Sequence, residues 1–243
     1  MPQSDGVLVL PVSGIGEVVP GTDLAGLIAG AVAPARPEGP ALLAGDVVVV
    51  TQKIVSKAEG KLVPINQADA SAKLALVERE SVRVLRRRGD LVITETRHGF
   101  ICANAGVDLS NVADGTAALL PDDADRSARG VRAGLRNALG VDVGVIVSDT
   151  FGRAWRRGVT DVAIGCAGVA AVLDLKGTRD AGGRELVATE ICVADELASA
   201  AELVMGKDRG IPVAIVRGVP TEWLRPASVR AEIIRPPEED LFR

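Results

Sequence analysis

Tyrosine is absent from this 243-residue chain, and aromatic residues make up only 2% of it. Base-stacking platforms for nucleic acid need aromatic faces, so the composition argues against that role. There is no basic excess either. The net charge is -4 and the isoelectric point lies near 5.2, which leaves no broad positive field for nucleic acid or an anionic membrane. Any anion site must be a local arrangement. Histidine occurs once, as His98, which makes a zinc centre or a Ser-His-Asp triad hard to build. The three cysteines, Cys102, Cys166 and Cys192, are far apart and form no CxxC, so they read as reduced core residues. No apolar run approaches the roughly 18 residues of a membrane span, and no basic segment leads into an apolar stretch at the N-terminus. A cytoplasmic protein is expected. Neither phosphate fingerprint is present: GxxxxGK[ST] is missing, and Pro20 and the spacing of "SGIGEVVPG" spoil it as a GxGxxG loop.

What the chain does have is a core. Hydrophobic residues reach 47%, enough for one large domain or two small ones. "GVLVLPV" from Gly6 reads as a strand, and "TDLAGLIAGAVA" as a helix capped by Thr22 or Asp23. A turn-rich connection, "RPEGPALLAGD", starts at Arg36. The unbroken Val47–Val50 run predicts a strand buried on both faces. "SAKLALVERESVRVLRRRG" predicts a long helix ending at Gly89, with arginines suiting the negative end of its dipole. Two short strands meet at a His98-Gly99 turn. "ADRSARGVRAGLRNALG" predicts an amphipathic helix, "VDVGVIVSDT" a strand, "VADELASAAELVMGK" a helix and "IPVAIVRGV" a final strand. Alternating strands and helices with hairpin-like pairs imply a mixed α/β (α+β) architecture without repeats or a clear linker.

Two sets of charges stand where chemistry would sit. Asp108 lies in the loop "ANAGVDLSN", and Asp149 with Thr150 closes the strand "VGVIVSDT". Carboxylate and hydroxyl oxygens are what hard divalent cations take, although the same acids would also serve as turn caps. Lys53 and Lys57 follow the Val47–Val50 strand, and Arg153, Arg156 and Arg157 follow Asp149. Cations just beyond apolar strands suit phosphate or carboxylate recognition, the alternative being a solvated surface. His98 is a candidate general base or a structural turn residue.

Taken together and in order, "LPVSGIGEVVPGTDL", "GDVVVVTQKIVSKAEG", "ETRHGFICANAGVDLSNV", "VSDTFGRAWRRGVTDVAIGCAG", "VADELASAAELVMGK" and "PVAIVRG" resemble the coenzyme F420-0:L-glutamate ligase family. The resemblance runs from about Val7 to Arg243. It implies GTP-dependent ligation of L-glutamate to the lactyl carboxylate of F420-0 or dehydro-F420-0, followed by γ-linked extension, with Mn²⁺ or Mg²⁺ required. It implies a fold of two intertwined subdomains, unlike P-loop or Rossmann proteins, spanning residues 1–243 in a homodimer. It places divalent-metal ligands at Asp108, Asp149 and Thr150, and GTP contacts at Ile15, Gly16, Glu17, Val18, Gln52, Lys57 and Asn111. Lys57 and Asp149 would be the catalytic pair, and Arg153, Arg156 or Arg157 would bind anionic substrate. Some members carry Ser at the position of Gln52, and some carry Gln near a second metal where this chain has Lys207. An ammonium cannot ligate a cation, so no metal role is expected there. The tail "RPPEEDLFR" resembles the end of the ligase half of a bifunctional actinobacterial enzyme, whose fused reductase domain would be absent here. A non-catalytic nucleotide-holding scaffold and a metal-dependent phosphatase are the competing expectations.

Overall fold

The computed structural model describes residues 6–34 and 39–242. The first residues of the connection expected from Arg36, and the terminal Arg243, lie outside the described residues. In chain order the elements are β1 (Leu8–Pro11), α1 (Leu24–Ala31), β2 (Val47–Thr51), α2 (Gln52–Ala58), β3 (Leu62–Pro64), α3 (Ala70–Arg79), β4 (Ser81–Arg88), β5 (Leu91–Thr96), β6 (Ile101–Ala103), β7 (Thr116–Ala118), α4 (Ala124–Leu139), β8 (Gly144–Gly152), β9 (Val159–Ala167), β10 (Leu173–Asp174), β11 (Glu190–Ile191), α5 (Val193–Met205), β12 (Val213–Arg217) and α6 (Val229–Glu232). The fold is mixed α/β, as the alternation of elements predicts.

A five-stranded sheet in the order β1-β12-β2-β8-β9 forms the larger body. Only the central β2–β8 pair is parallel, with Thr51 beside Ser148 at its carboxyl end. Val47, Val48, Val49 and Val50 are all fully buried. Successive strand residues point to opposite faces, so both faces of the sheet must be covered. Helix α4, with α1 laid on it, packs on β8 and β9, while α5 packs across β1, β12 and β9. Asp23 caps α1 by accepting from Gly26 N–H. Asp123 caps α4 in the same way, and Gly140 at φ 70° ends it.

A second, smaller hydrophobic cluster gathers Leu76, Val77, Val92, Ala105, Val107, Ala117 and Leu119. It draws on α3, on the three-stranded β4-β5-β6 sheet and on the β3–β7 pair. Here one expectation fails. The helix predicted to run to Gly89 stops at Arg79, and Ser81–Arg88 is a strand paired antiparallel with β5. The β-branched Val82 and Val84 alternate with Arg83, a period that suits a pleated strand. Gly89, at φ 57°, turns the β4–β5 hairpin and caps no helix. The turn at His98-Gly99 forms as predicted, with Gly99 N–H donating to Thr96 O at 2.9 Å.

Candidate active site

A cavity of about 660 Å³ opens where the two clusters meet. It is lined by the Ile15–Val18 loop, by the start of α2, by the loop after β6, by Ser148, Asp149 and Thr150 of β8, and by Asp161 of β9. Glu202 and the segment after α5 complete the wall. The carboxyl ends of parallel strands are where open α/β sheets leave room for ligands, and β2 and β8 end here.

The loop carrying Asp108 is built from unusual backbone. Asn104, Ala105 and Gly106 have φ values of 51°, 54° and 71°. This left-handed run is costly for the non-glycine residues, and a Cβ on Gly106 would meet Leu120 Cγ at 2.7 Å. Burial of Ala105 and Val107 in the smaller cluster holds the loop in that shape. Asp108 Oδ1 accepts from Ser110 N–H at 2.7 Å, so the Asx turn expected for this acid is present. Its other oxygen faces Lys53 Nζ at 2.9 Å, and Lys53 also donates to Ser110 Oγ at 2.8 Å. Burial pushes the Asp108 carboxyl up, but the Ser110 N–H and Lys53 outweigh it and leave it below the usual value.

Asp149 differs. The strand does not stop at it, as the sequence suggests: β8 continues to Gly152 and pairs with β9, Asp149 lying opposite Val162. A register shift between Val147 and Ser148 re-aims the strand just before the acid. Desolvation, followed by the nearby charges of Asp108 and Asp161, pushes its carboxyl up to about 7, and the Thr150 N–H offsets this only in part. Among the described residues no cation lies within ion-pair distance of it.

Thr150 Oγ1 donates to Asp161 Oδ1 at 2.6 Å, and Ser148 Oγ donates to Asp161 Oδ2 at 3.0 Å. Asp161 is only 1% exposed, and Lys207 reaches it from the segment after α5. Asp161 and Glu202 do not stand out in the sequence. Only the register of β9 against β8, which sets Asp161 opposite Thr150, reveals the first, and Glu202 looks like any polar position of an amphipathic helix. On the other wall Lys57 Nζ meets Glu17 Oε1 at 2.7 Å. Gln52 lines the cavity, with its amide donating to Ser56 Oγ at 2.6 Å and Leu119 O at 2.9 Å. Asn111 lines it as well, at φ 53°.

Among the described residues no group of three or more His, Cys, Asp or Glu is gathered tightly enough to cage a metal. Within the cavity Asp108, Asp149 and the Thr150 hydroxyl offer hard oxygens that suit Mg²⁺ or Mn²⁺ when phosphate and water complete the shell. The raised Asp149 carboxyl marks negative charge that a cation would neutralise.

Two groups that the sequence offers as candidates lie apart from this cavity. Arg153, Arg156 and Arg157 do not line the cavity. Because β8 and β9 stay paired as far as Gly152 and Val159, the three arginines are carried to the tip of the hairpin, which begins with Arg153 about 13 Å along the strand from Asp149. His98 is not placed as a general base for this cavity. It lines a separate one of about 130 Å³ with Phe100, Asp122 and Arg230, where burial and then Arg97 hold its pKa below the usual value. All three cysteines are unpaired, and burial pushes each thiol up to about 12, so they are neutral. No helix among the described residues is long and apolar enough to cross a membrane.

Comparison with known proteins gives the family. Residues 14–218 match the family model for F420-0:gamma-glutamyl ligase. The coenzyme F420:L-glutamate ligase of Methanothermobacter thermautotrophicus is 43% identical, over 98% of this chain and 99% of its own length. The enzyme of the same name from Methanopyrus kandleri is 46% identical, over 93% and 94%. That from Methanocaldococcus jannaschii is 41% identical, over 82% and 85%. The chain therefore belongs to the F420-0:gamma-glutamyl ligase family, a family of ligases.

Proposed function

We propose that this chain ligates L-glutamate to the lactyl carboxylate of F420-0, or of its dehydro form, driven by GTP, and extends the product through γ-linkages. The observation that carries the proposal is the convergence, in one cavity, of the Ile15–Val18 loop, Lys57, Asp108, Asp149 and Thr150. The substrate carboxylate would attack the γ-phosphorus, releasing GDP and giving an acyl phosphate. The amine of glutamate would then attack the acyl carbon and release phosphate. Both steps depend on holding anions together, so positioning and charge neutralisation dominate.

Lys57 is suited to a phosphate, with Glu17 holding its ammonium in place until nucleotide arrives. Lys53 sets a second positive charge beside Asp108. The loop Ile15, Gly16, Glu17 and Val18, with Gln52 and Asn111, is suited to the rest of the nucleotide, its buried Val18 anchoring it to the core. Asp108, Asp149 and Thr150 would hold Mn²⁺ or Mg²⁺. Such an ion, when bound, supplies neutralisation of charge across the phosphates. A cytoplasmic homodimer belongs to the same proposal. Exposed Val82, Leu91 and Ile101 on β4, β5 and β6 give a second copy something to cover. The likeness to the ligase half of a bifunctional actinobacterial protein rests on the tail sequence alone, since the relatives above are archaeal ligases matched over most of their own length.

The test is incubation with GTP, Mn²⁺, F420-0 and L-glutamate, read by mass spectrometry. Gain of one or more glutamate masses, dependent on GTP, is expected. Phosphate release that needs no glutamate would replace the proposal with a phosphatase. Neither product would leave a nucleotide-holding scaffold.

A further inference from the structure

Lys207 sits at the corner of the cavity where Thr150, Asp161 and Glu202 meet. Its ammonium donates to Thr150 Oγ1, and lies 3.4 Å from Asp161 Oδ1 and 3.6 Å from Glu202 Oε1. The backbone sends it there. Helix α5 ends at Met205, and Gly206 follows at φ 63° and ψ 159°, a conformation that is essentially open to glycine alone. That turn directs the chain from the end of α5 toward the acids. Asp161 is itself fixed by Ser148 and Thr150, and its backbone oxygen accepts from Ser199 Oγ at 2.7 Å. The ammonium therefore has a rigid, oxygen-lined seat, although much of the lysine stem is open to the cavity.

The two halves of the acidic wall are thus unequal. At the β9 side, Asp161 and Glu202 already have a cation between them. At the β8 side, Asp149 has none within ion-pair distance among the described residues. Phosphoryl transfer is often served by two cations about 4 Å apart, one on each side of the transferred group. An ammonium is a compact point charge with three donors and suits one such position, provided that oxygens hold it still.

We infer that the Lys207 ammonium is a built-in cation occupying one of the two positions beside the phosphates, so that Thr150 serves the ammonium, the metal ligands proposed above narrow to Asp108 and Asp149, and this chain takes up one divalent ion and not two. The inference rests on the nucleotide-binding role proposed for the cavity. A divalent ion at the Thr150–Asp161–Glu202 corner would have to displace an ammonium that three oxygen-bearing groups hold. One at Asp149 meets no ammonium on that acid, and at Asp108 it has only the single contact of Lys53 with one carboxylate oxygen to displace.

The experiment counts Mn²⁺ retained per chain on equilibrium dialysis with a non-hydrolysable GTP analogue, read by the electron paramagnetic resonance of the bound ion. The wild-type chain is expected to retain one Mn²⁺, Lys207→Gln two, and Lys207→Arg one. Lys207 is largely exposed on its stem, so the thermal transition of each variant should match the wild type, and the wild-type count decides on its own if one does not. Two ions in the wild-type chain overturn the inference. So does one ion in a folded Lys207→Gln. Nucleotide retained without any Mn²⁺ overturns it too. A chain that retains neither nucleotide nor Mn²⁺ overturns the ligase proposal itself, and this inference falls with it.

Discussion

The β8–β9 hairpin has two ends, and they could hardly differ more. At its base Ser148, Thr150 and Asp161 are locked together by hydrogen bonds, and Asp149 lies among other acids. At its tip Arg153, Trp155, Arg156 and Arg157 project into solvent, with Trp155 89% exposed and at φ 64°. Only a handful of residues separate the two. Charge at the base is destabilising, because little water screens it and its neighbours are of the same sign. Charge at the tip costs little and acts at a distance that salt can screen. Nearness in sequence to a chemical group is therefore no measure of membership in a site. What decides it is how far the strands stay paired.

That contrast can be broken by exchange of single residues, and the largest effect belongs to the base. Asp149→Asn should lower ligation on the order of a thousandfold, the scale for removing one group aimed at developing charge, and should weaken Mn²⁺ retention. Its circular dichroism should match the wild type, since the amide is nearly isosteric. Turnover within tenfold of wild type would remove Asp149 from the site.

The next effect concerns pH. The folded Asp149 carboxyl lies at about 7, above its unfolded value of 3.8, so the folded chain binds the proton more tightly. The stability from that proton is fully present below about pH 4 and is lost as pH rises through 7. The loss is up to about 4 kcal/mol at 1.36 kcal/mol per unit. Without metal, thermal unfolding should thus move to lower temperature between pH 5 and 8. Mn²⁺ should reverse the trend, and Asp149→Asn should flatten it. A melting temperature independent of pH in the metal-free chain would contradict the charge pattern described for the base.

The smallest effect belongs to the tip. Replacing Arg153, Arg156 and Arg157 together by alanine should leave Mn²⁺ retention and kcat unchanged. It should raise KM for F420-0 by no more than about tenfold, and less at high salt, as expected for charges on a rim. A fall in kcat would bring the tip into the site and dissolve the comparison.

Much of this architecture is legible in residue type and spacing alone. The apolar runs of β2, β8 and β12 and the capped helices α1 and α4 follow from them directly. Asp108, Asp149, Thr150, Lys57 and the Ile15–Val18 loop, which the sequence motifs single out, all face one cavity. The failures have physical reasons. Strand β4 is hidden because Leu74, Leu76 and Val77 start a helical pattern that runs without a breaker into Val82 and Val84. Asp161 is inconspicuous because its importance lies in its partner across the hairpin, and pairing register is not written in local sequence. Lys207 cannot ligate a metal, which is all that its chemistry says in isolation. Its place beside Thr150 and Asp161 adds that it can stand where a metal would.

Asp108 hangs from a left-handed loop whose shape is maintained by the lesser of the two hydrophobic clusters. Heat or a cavity-forming change such as Val77→Ala, at a position far from Asp108 in the chain, should therefore disarm the enzyme while the five-stranded body is still intact. For this fold, the temperature at which chemistry stops should be the one at which the smaller cluster loosens.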